Sequence, residues 1–177
     1  MNTKDMIIQS YIDLVIQKKT THVKVAEICD HADISRKTFY NYFVDKQQIL
    51  ECIFCEEIEK TMVNGLQYPI NEKEEVIATY NSFLKQKDFF MIAMKCEGQN
   101  SLFDIIIQRC SSFCRDLYDP YFKDKKKLEY LSYKYAATSA MLLKKWMNEG
   151  MEESAEFLAD IYLSSIQQLP SYKKKKG

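Results

Sequence analysis

Apolar side chains recur three and four residues apart along almost the whole chain, the pattern of helices that each bury one face. Ile7, Tyr11, Leu14 and Val15 trace one stripe and predict a helix over about residues 4–17. Val25, Ile28, Cys29 and Ala32 fall at i, i+3, i+4 and i+7 and predict a short second helix. Phe39 and Phe43 share the face of a third. Ile49, Leu50, Ile53, Phe54, Ile58, Thr61 and Met62 carry a fourth to about residue 65, roughly 25–30 Å at 1.5 Å per residue. Gly65 to Ile70, with Pro69, marks a boundary. Asn71 then caps a helix with Glu74 at its N3 position and a stripe of Val76, Ile77, Tyr80, Phe83 and Leu84. Residues 89–96 are apolar almost all round and predict a central helix.

Ser101 and Asp104 open the next helix, with Leu102, Phe103, Ile106, Ile107, Cys110, Phe113 and Leu117 apolar, and Asp119-Pro120 ends it. A long helix follows over residues 125–148, with Gly150 as its C′ residue and small side chains at Ala136-Ala-Thr-Ser-Ala140. The last helix is predicted to begin near Glu152, with two glutamates in its first turn to suit the dipole. It carries Leu158, Ala159, Tyr162, Leu163 and Ile166, and Pro170 stops it. Only 4 glycines and 3 prolines are present, which fits long helices better than a turn-rich sheet protein.

Residues 24–46 carry the chemistry. Asp33 stands where the chain must turn, and Ser35 is a suitable N-cap for the helix that follows. At about 100° per residue, Phe39 and Phe43 face inward. Lys37, Tyr40 and Asn41 face outward, with Arg36 and Thr38 beside them. A helix anchored by phenyl rings behind and showing cation, phenol and amide in front has the groups that read base edges in a major groove. Lys or Arg donates to guanine O6 and N7, and Asn pairs with adenine. Tyr42 and Lys46 are assigned to phosphates, which fix register rather than sequence. The bland alternative is that Tyr40 and Tyr42 are half-buried aromatics of a small core. Asp45 caps the fourth helix, whose free amides and Lys46 together suit a phosphate.

The run Ile34-Ser-Arg-Lys-Thr-Phe-Tyr-Asn-Tyr-Phe-Val-Asp-Lys46, followed by Gln47-Gln-Ile-Leu50, resembles the DNA-binding signature of TetR/AcrR-family transcriptional regulators. The resemblance covers roughly residues 3–60. It implies an all-α fold: an N-terminal three-helix helix-turn-helix domain and a C-terminal helical bundle for ligand binding and dimerisation. It further implies a homodimer that reads a palindromic operator, usually as a repressor, and releases it when a small-molecule effector enters the C-terminal domain. The last two long helices would pair with a second subunit as a four-helix bundle. Two recognition helices would then lie about one turn of DNA apart, near 34–36 Å. The expected divisions are 1–46 for DNA binding, 47–65 for a connecting helix, 66–170 for the ligand-binding and dimerisation body, and 171–177 for a disordered basic tail. Two positions depart from the family pattern. Asp33 replaces the usual Gly of the turn, and Asp tolerates the left-handed conformation better than most residues. Lys24 replaces a capping Thr; a lysine cannot cap, though it can meet a phosphate, and Thr21 is the candidate to compensate.

Formal net charge is zero, and residues 1–50 hold seven Lys/Arg against six Asp/Glu. DNA binding therefore demands local placement of Lys24, Arg36, Lys37 and Lys46, with the acidic groups elsewhere. The Lys173–Lys176 run is expected to be a solvated end. No apolar run is long enough for a membrane span and no signal-peptide pattern is seen, so a cytoplasmic protein is expected. The six cysteines are read as small apolar core residues. Cys52/Cys55 and Cys110/Cys114 also have spacings that suit a soft metal or an oxidant. His22 and His31 both lie in the N-terminal part, and no metal site, cofactor or enzyme motif is indicated. Tyr80, Phe83, Phe90, Met94, Phe103, Tyr133 and Trp146 are the candidate lining of a ligand cavity, or else the solid core of a bundle. The competing functional reading is a co-regulator of the same fold that acts through a protein partner.

Overall fold

A computed structural model describes residues 2–62, 73–98 and 101–166. Among these, every regular element is helical. They are α1 (Thr3–Lys18), α2 (Val25–His31), α3 (Arg36–Tyr40), α4 (Lys46–Met62), α5 (Lys73–Lys85), α6 (Lys87–Lys95), α7 (Leu102–Tyr118), a 3₁₀ turn (Asp119–Tyr121), α8 (Lys125–Asn148) and α9 (Ala155–Ile166). The boundary around Gly65–Ile70, the Asn71 cap, the Pro170 stop and the lysine tail lie outside the described residues.

Side-chain caps fix most of the helix starts, because the first N–H groups of a helix have no partner inside it. Asn2 Oδ1 accepts from the Asp5 N–H at 2.9 Å, and the Asn2 N–H donates back to Asp5 Oδ2 at 3.3 Å. Ser101 and Asp104 make the same reciprocal pair at α7, and Asp124 accepts from the Lys127 N–H at 2.9 Å to start α8. Gly150 follows α8 with φ +89°, as a C′ glycine should.

The last helix starts later than the sequence pattern suggests. Met151 also takes a left-handed turn, φ +53°, and is buried, so Glu152 and Glu153 lie in the connection rather than in the first helical turn. Ser154 caps α9 instead, accepting from the Phe157 N–H at 3.2 Å. The Glu153 carbonyl accepts from Trp146 Nε1 at 3.0 Å, which ties the turn to α8.

Around α1, the elements α2, α4 and α6 pack together. In the C-terminal part α7 runs along α8, and α5 packs on α4 and α9. Ala136 and Ala140 are fully buried, so the small residues of α8 serve close helix approach. The helix α6 is central, with Phe89, Phe90, Ala93 and Met94 all buried. No helix among the described residues is long and apolar enough to cross a membrane.

Candidate nucleic-acid interface

The turn between α2 and α3 is built as its residues require. Asp33 takes φ +52°, and the Ile34 N–H returns to the Cys29 carbonyl at 3.0 Å. Ser35 Oγ accepts from the Thr38 N–H at 3.0 Å and also meets Thr38 Oγ1 at 2.9 Å. The Tyr42 and Phe43 N–H groups both reach the Phe39 carbonyl at 3.0 Å, so the coil continues tightly past α3. Phe39 is fully buried and Phe43 nearly so. Opposite them Arg36, Lys37, Asn41, Tyr40 and Tyr42 are exposed. Tyr40 is 57% and Tyr42 45% exposed; the Tyr40 ring meets the buried Phe39 edge-on at 5.4 Å and so leans on the small core while most of its surface stays open. Thr38 is half-buried and shares its hydroxyl with Ser35. Val44, which the periodicity did not single out, is 76% exposed beside Tyr42. Its only sequence signal is an apolar residue in a turn between a core Phe and a cap Asp.

Lys24 occupies the N-cap position of α2 and is exposed, without a side-chain cap. Glu27 supplies only the other half of a capping box, bonding the N-cap residue's own N–H rather than the first-turn amides that a Thr would cap. Its Oε2 accepts from the Lys24 N–H at 2.8 Å, and its Oε1 accepts from Lys18 Nζ at 2.5 Å. Lys18 first, then the Lys24 N–H, holds this carboxyl below its ordinary range. Thr21 makes backbone contacts instead: its N–H donates to Cys96 Sγ at 3.4 Å and its carbonyl accepts from Lys46 Nζ at 3.3 Å. Lys46, in the first turn of α4, is thus half-buried rather than extended into solvent. Asp45 caps α4 as expected, accepting from the Gln48 N–H at 2.9 Å, and Gln48 Oε1 accepts from the Val44 N–H at 2.7 Å.

The demand on local charge is met only in part, since Glu27, Asp30, Asp33 and Asp45 all lie within residues 24–46 and only Asp5 and Asp13 lie elsewhere. Of the acidic residues before position 50, Glu27 and Asp45 are tied into caps, and Asp5 and Asp13 lie on α1. Those on α1 border a cleft of about 770 Å³ between α1, α4 and the α5–α6 junction, floored by Ile8, Ile12, Ile53 and Phe89. Asp30 and Asp33 stay exposed at the turn.

The body aromatics divide. Tyr80, Phe83, Phe90, Met94 and Trp146 are buried. Phe83 meets Phe90 edge-on at 4.9 Å between centroids, and Tyr80 meets Trp146 at 5.5 Å. Phe103 is half-buried under Lys144, whose Nζ lies 4.9 Å from the ring centroid. Tyr133 does not join them. It is 58% exposed, one residue and so about 100° round α8 from the buried Ser132. Burial raises the Tyr80 phenol above its usual range and pushes the Cys110 thiol up to about 12. Among the described residues no group of three or more His, Cys, Asp or Glu is placed to hold a metal ion.

Residues 12–53 match the family described as "Bacterial regulatory proteins, tetR family", and residues 71–168 match "Transcriptional regulator C-terminal region". No curated protein sequence matches the chain significantly. Similar solved structures include one from Syntrophomonas wolfei str. Goettingen, titled as a TetR-family transcriptional regulator, at 21% identity, TM-score 0.67 and 94% of each chain covered. A TetR transcriptional regulator from Streptococcus agalactiae 2603V is similar at 16% identity, TM-score 0.64 and 93% of each chain. NalD of Pseudomonas aeruginosa, the secondary repressor of the MexAB-OprM multidrug efflux pump, is similar at 15% identity, TM-score 0.57 and 93% of each chain.

Proposed function

Because this chain belongs to the TetR family of transcriptional regulators, we propose that it is a homodimeric repressor that reads a palindromic operator through α3 and leaves it when a small molecule enters the body. The observation that carries the DNA-reading part is the two-sided build of the α3 turn. Phe39 and Phe43 are buried, while Lys37, Tyr40 and Asn41 are exposed on one short surface. In this reading Lys37, Tyr40 and Asn41 meet base edges, with Arg36 and Thr38 beside them, and Lys24, Tyr42 and Lys46 meet phosphates. Residues 1–46 act as the reading head, 47–65 as the connection, 66–170 as the body and 171–177 as a basic tail. The protein works in the cytoplasm, where its operator is.

The dimer uses the outer faces of α8 and α9, where Tyr130, Tyr133, Met141, Phe157 and Ile161 are exposed. An effector would enter among Tyr80, Phe83, Phe90 and Met94, with Phe103 and Trp146 at the margin. Those rings pack directly on one another, so an effector must spread the body helices to enter. The spreading would move α6, whose Phe89 meets Tyr11 of α1 edge-on at 6.2 Å.

The test is binding of the purified protein to fragments of its own upstream region at two salt concentrations. Sequence-specific binding by a dimer supports the reading and supplies an operator for effector screening. Weak, salt-labile binding to every fragment would favour the co-regulator reading.

A further inference from the structure

We propose that Thr21 is a joint through which the end of α6 positions Lys46 for the DNA backbone, with Cys96 as the positioning residue. This rests on the reading above that Lys46 meets a phosphate.

Thr21 lies in the connection between α1 and α2, far in sequence from both of its partners. On one side its N–H donates to Cys96 Sγ at 3.4 Å. Cys96 is the C-cap of α6, the first residue beyond the helix, where φ −78° and ψ 113° turn the chain out into an extended path. On the other side the Thr21 carbonyl accepts from Lys46 Nζ at 3.3 Å. Lys46 is the first residue of α4. One residue therefore links the exit of a body helix to the entrance of the connecting helix.

The chemistry makes this link sensitive. A thiol sulfur is a weak acceptor, so the Cys96 contact is the first to yield when α6 shifts. A lysine ammonium carries three donors. One rests on the Thr21 carbonyl, and two remain to reach a phosphate from the same place. The carbonyl holds the flexible lysine stem in one region, and so reduces the ordering cost of the phosphate contact. When the Cys96 contact breaks, the peptide unit bearing the Thr21 N–H is released. The Thr21 carbonyl that anchors Lys46 sits on the next unit, whose His22 N–H donates to Thr20 Oγ1 at 3.1 Å, so the anchor loosens through the Thr21 backbone torsions rather than detaching.

The contact at Cys96 is separate from the packing that holds α6 in place. Phe89, Phe90, Ala93 and Met94 are all buried, and none of them takes part in the Cys96 contact. Loss of the sulfur is therefore expected to leave the fold intact while loosening Thr21.

The test uses the full chain with Cys96→Ala, Cys96→Ser, Lys46→Met and the Cys96→Ala/Lys46→Met double variant. Two readouts are taken. The first is amide hydrogen exchange at Thr21 in the free protein, which needs no DNA. Cys96→Ala should speed exchange of that amide at least about tenfold, and Cys96→Ser, whose hydroxyl also accepts, should restore the slow rate. The second is the dependence of DNA affinity on salt. Each lost phosphate contact flattens the log–log slope by about 0.9. Cys96→Ala should flatten it by about that amount per half-site, as should Lys46→Met, and the double variant should be no flatter than either. An unchanged Thr21 exchange rate in Cys96→Ala, or additive flattening in the double variant, overturns the joint. Absence of salt-dependent DNA binding by the unmodified protein would instead sink the DNA-binding reading, while the exchange result still decides whether Cys96 holds Thr21.

Discussion

At the scale of single residues, Lys37 and Glu27 do different work and predict different losses. Lys37 is exposed beside Tyr40 and Asn41. Lys37→Ala should weaken operator binding and relax the preference at one base position, by about 1–3 kcal/mol of discrimination. Competition binding with single-base operator variants measures this. Glu27 acts on the fold, joining Lys18 to the start of α2. Its carboxyl is held below the ordinary value by Lys18 and the Lys24 N–H. A lowered folded-state pKa contributes stability above the unfolded value and loses it as pH falls through the folded one. Acidification below the ordinary carboxyl value of 4.5 should therefore cost wild type more thermal stability than Glu27→Ala, and the two melting curves should converge at low pH. The place of Lys37 was legible from helical spacing alone. The role of Glu27 was legible only in part: its spacing from Lys24 is that of an N3 reach-back, whereas its pairing with Lys18, nine residues away, has no local signal.

At the scale of elements, α3 is too short to hold itself together. Its five residues are far below the length at which an isolated helix is stable in water. Phe39 and Phe43 supply the missing stability by burial. Phe39→Ala should cost about 3–5 kcal/mol and abolish DNA binding at any salt. Chemical denaturation and far-ultraviolet circular dichroism measure the loss. The turn between α8 and α9 is pinned by the indole donation from Trp146 to Glu153. Trp146→Phe keeps most of the apolar ring but leaves that carbonyl without its partner, a cost of about 1 kcal/mol, read as a lowered melting temperature. The start of α9 shows where periodicity misleads. Glu152 and Glu153 satisfy the dipole rule for a first turn. Yet two successive positive-φ residues, Gly150 and Met151, carry the chain past them before Ser154 can cap.

At the scale of the whole molecule, α8 and α9 carry exposed apolar side chains at Tyr130, Tyr133, Met141, Phe157 and Ile161. Phe157 and Ile161 are 49% and 38% exposed on α9. A charge there disturbs little inside the subunit, whereas Leu163 is half-buried and packs against the core. Phe157→Glu with Ile161→Glu should therefore yield a folded monomer by light scattering and weaken operator binding by at least about tenfold, since one recognition helix contacts few bases. A dimer that persists in this variant would move the interface away from α9.

The local pattern of this chain determined most of its elements, because apolar spacing, caps and breakers act within a few residues. The extent of α8, the Asp33 turn, the Ser35 and Asp45 caps and the outward face of α3 all follow from neighbours three or four positions apart. Tertiary structure decided what depends on distant partners. Tyr133 and Ser132 are adjacent in sequence, yet only packing set which of them α8 buries. Lys46 points back to Thr21, and Thr21 is held by Cys96, 75 residues further along the chain. No periodicity records such a contact, since it exists only once α6 is laid against α1.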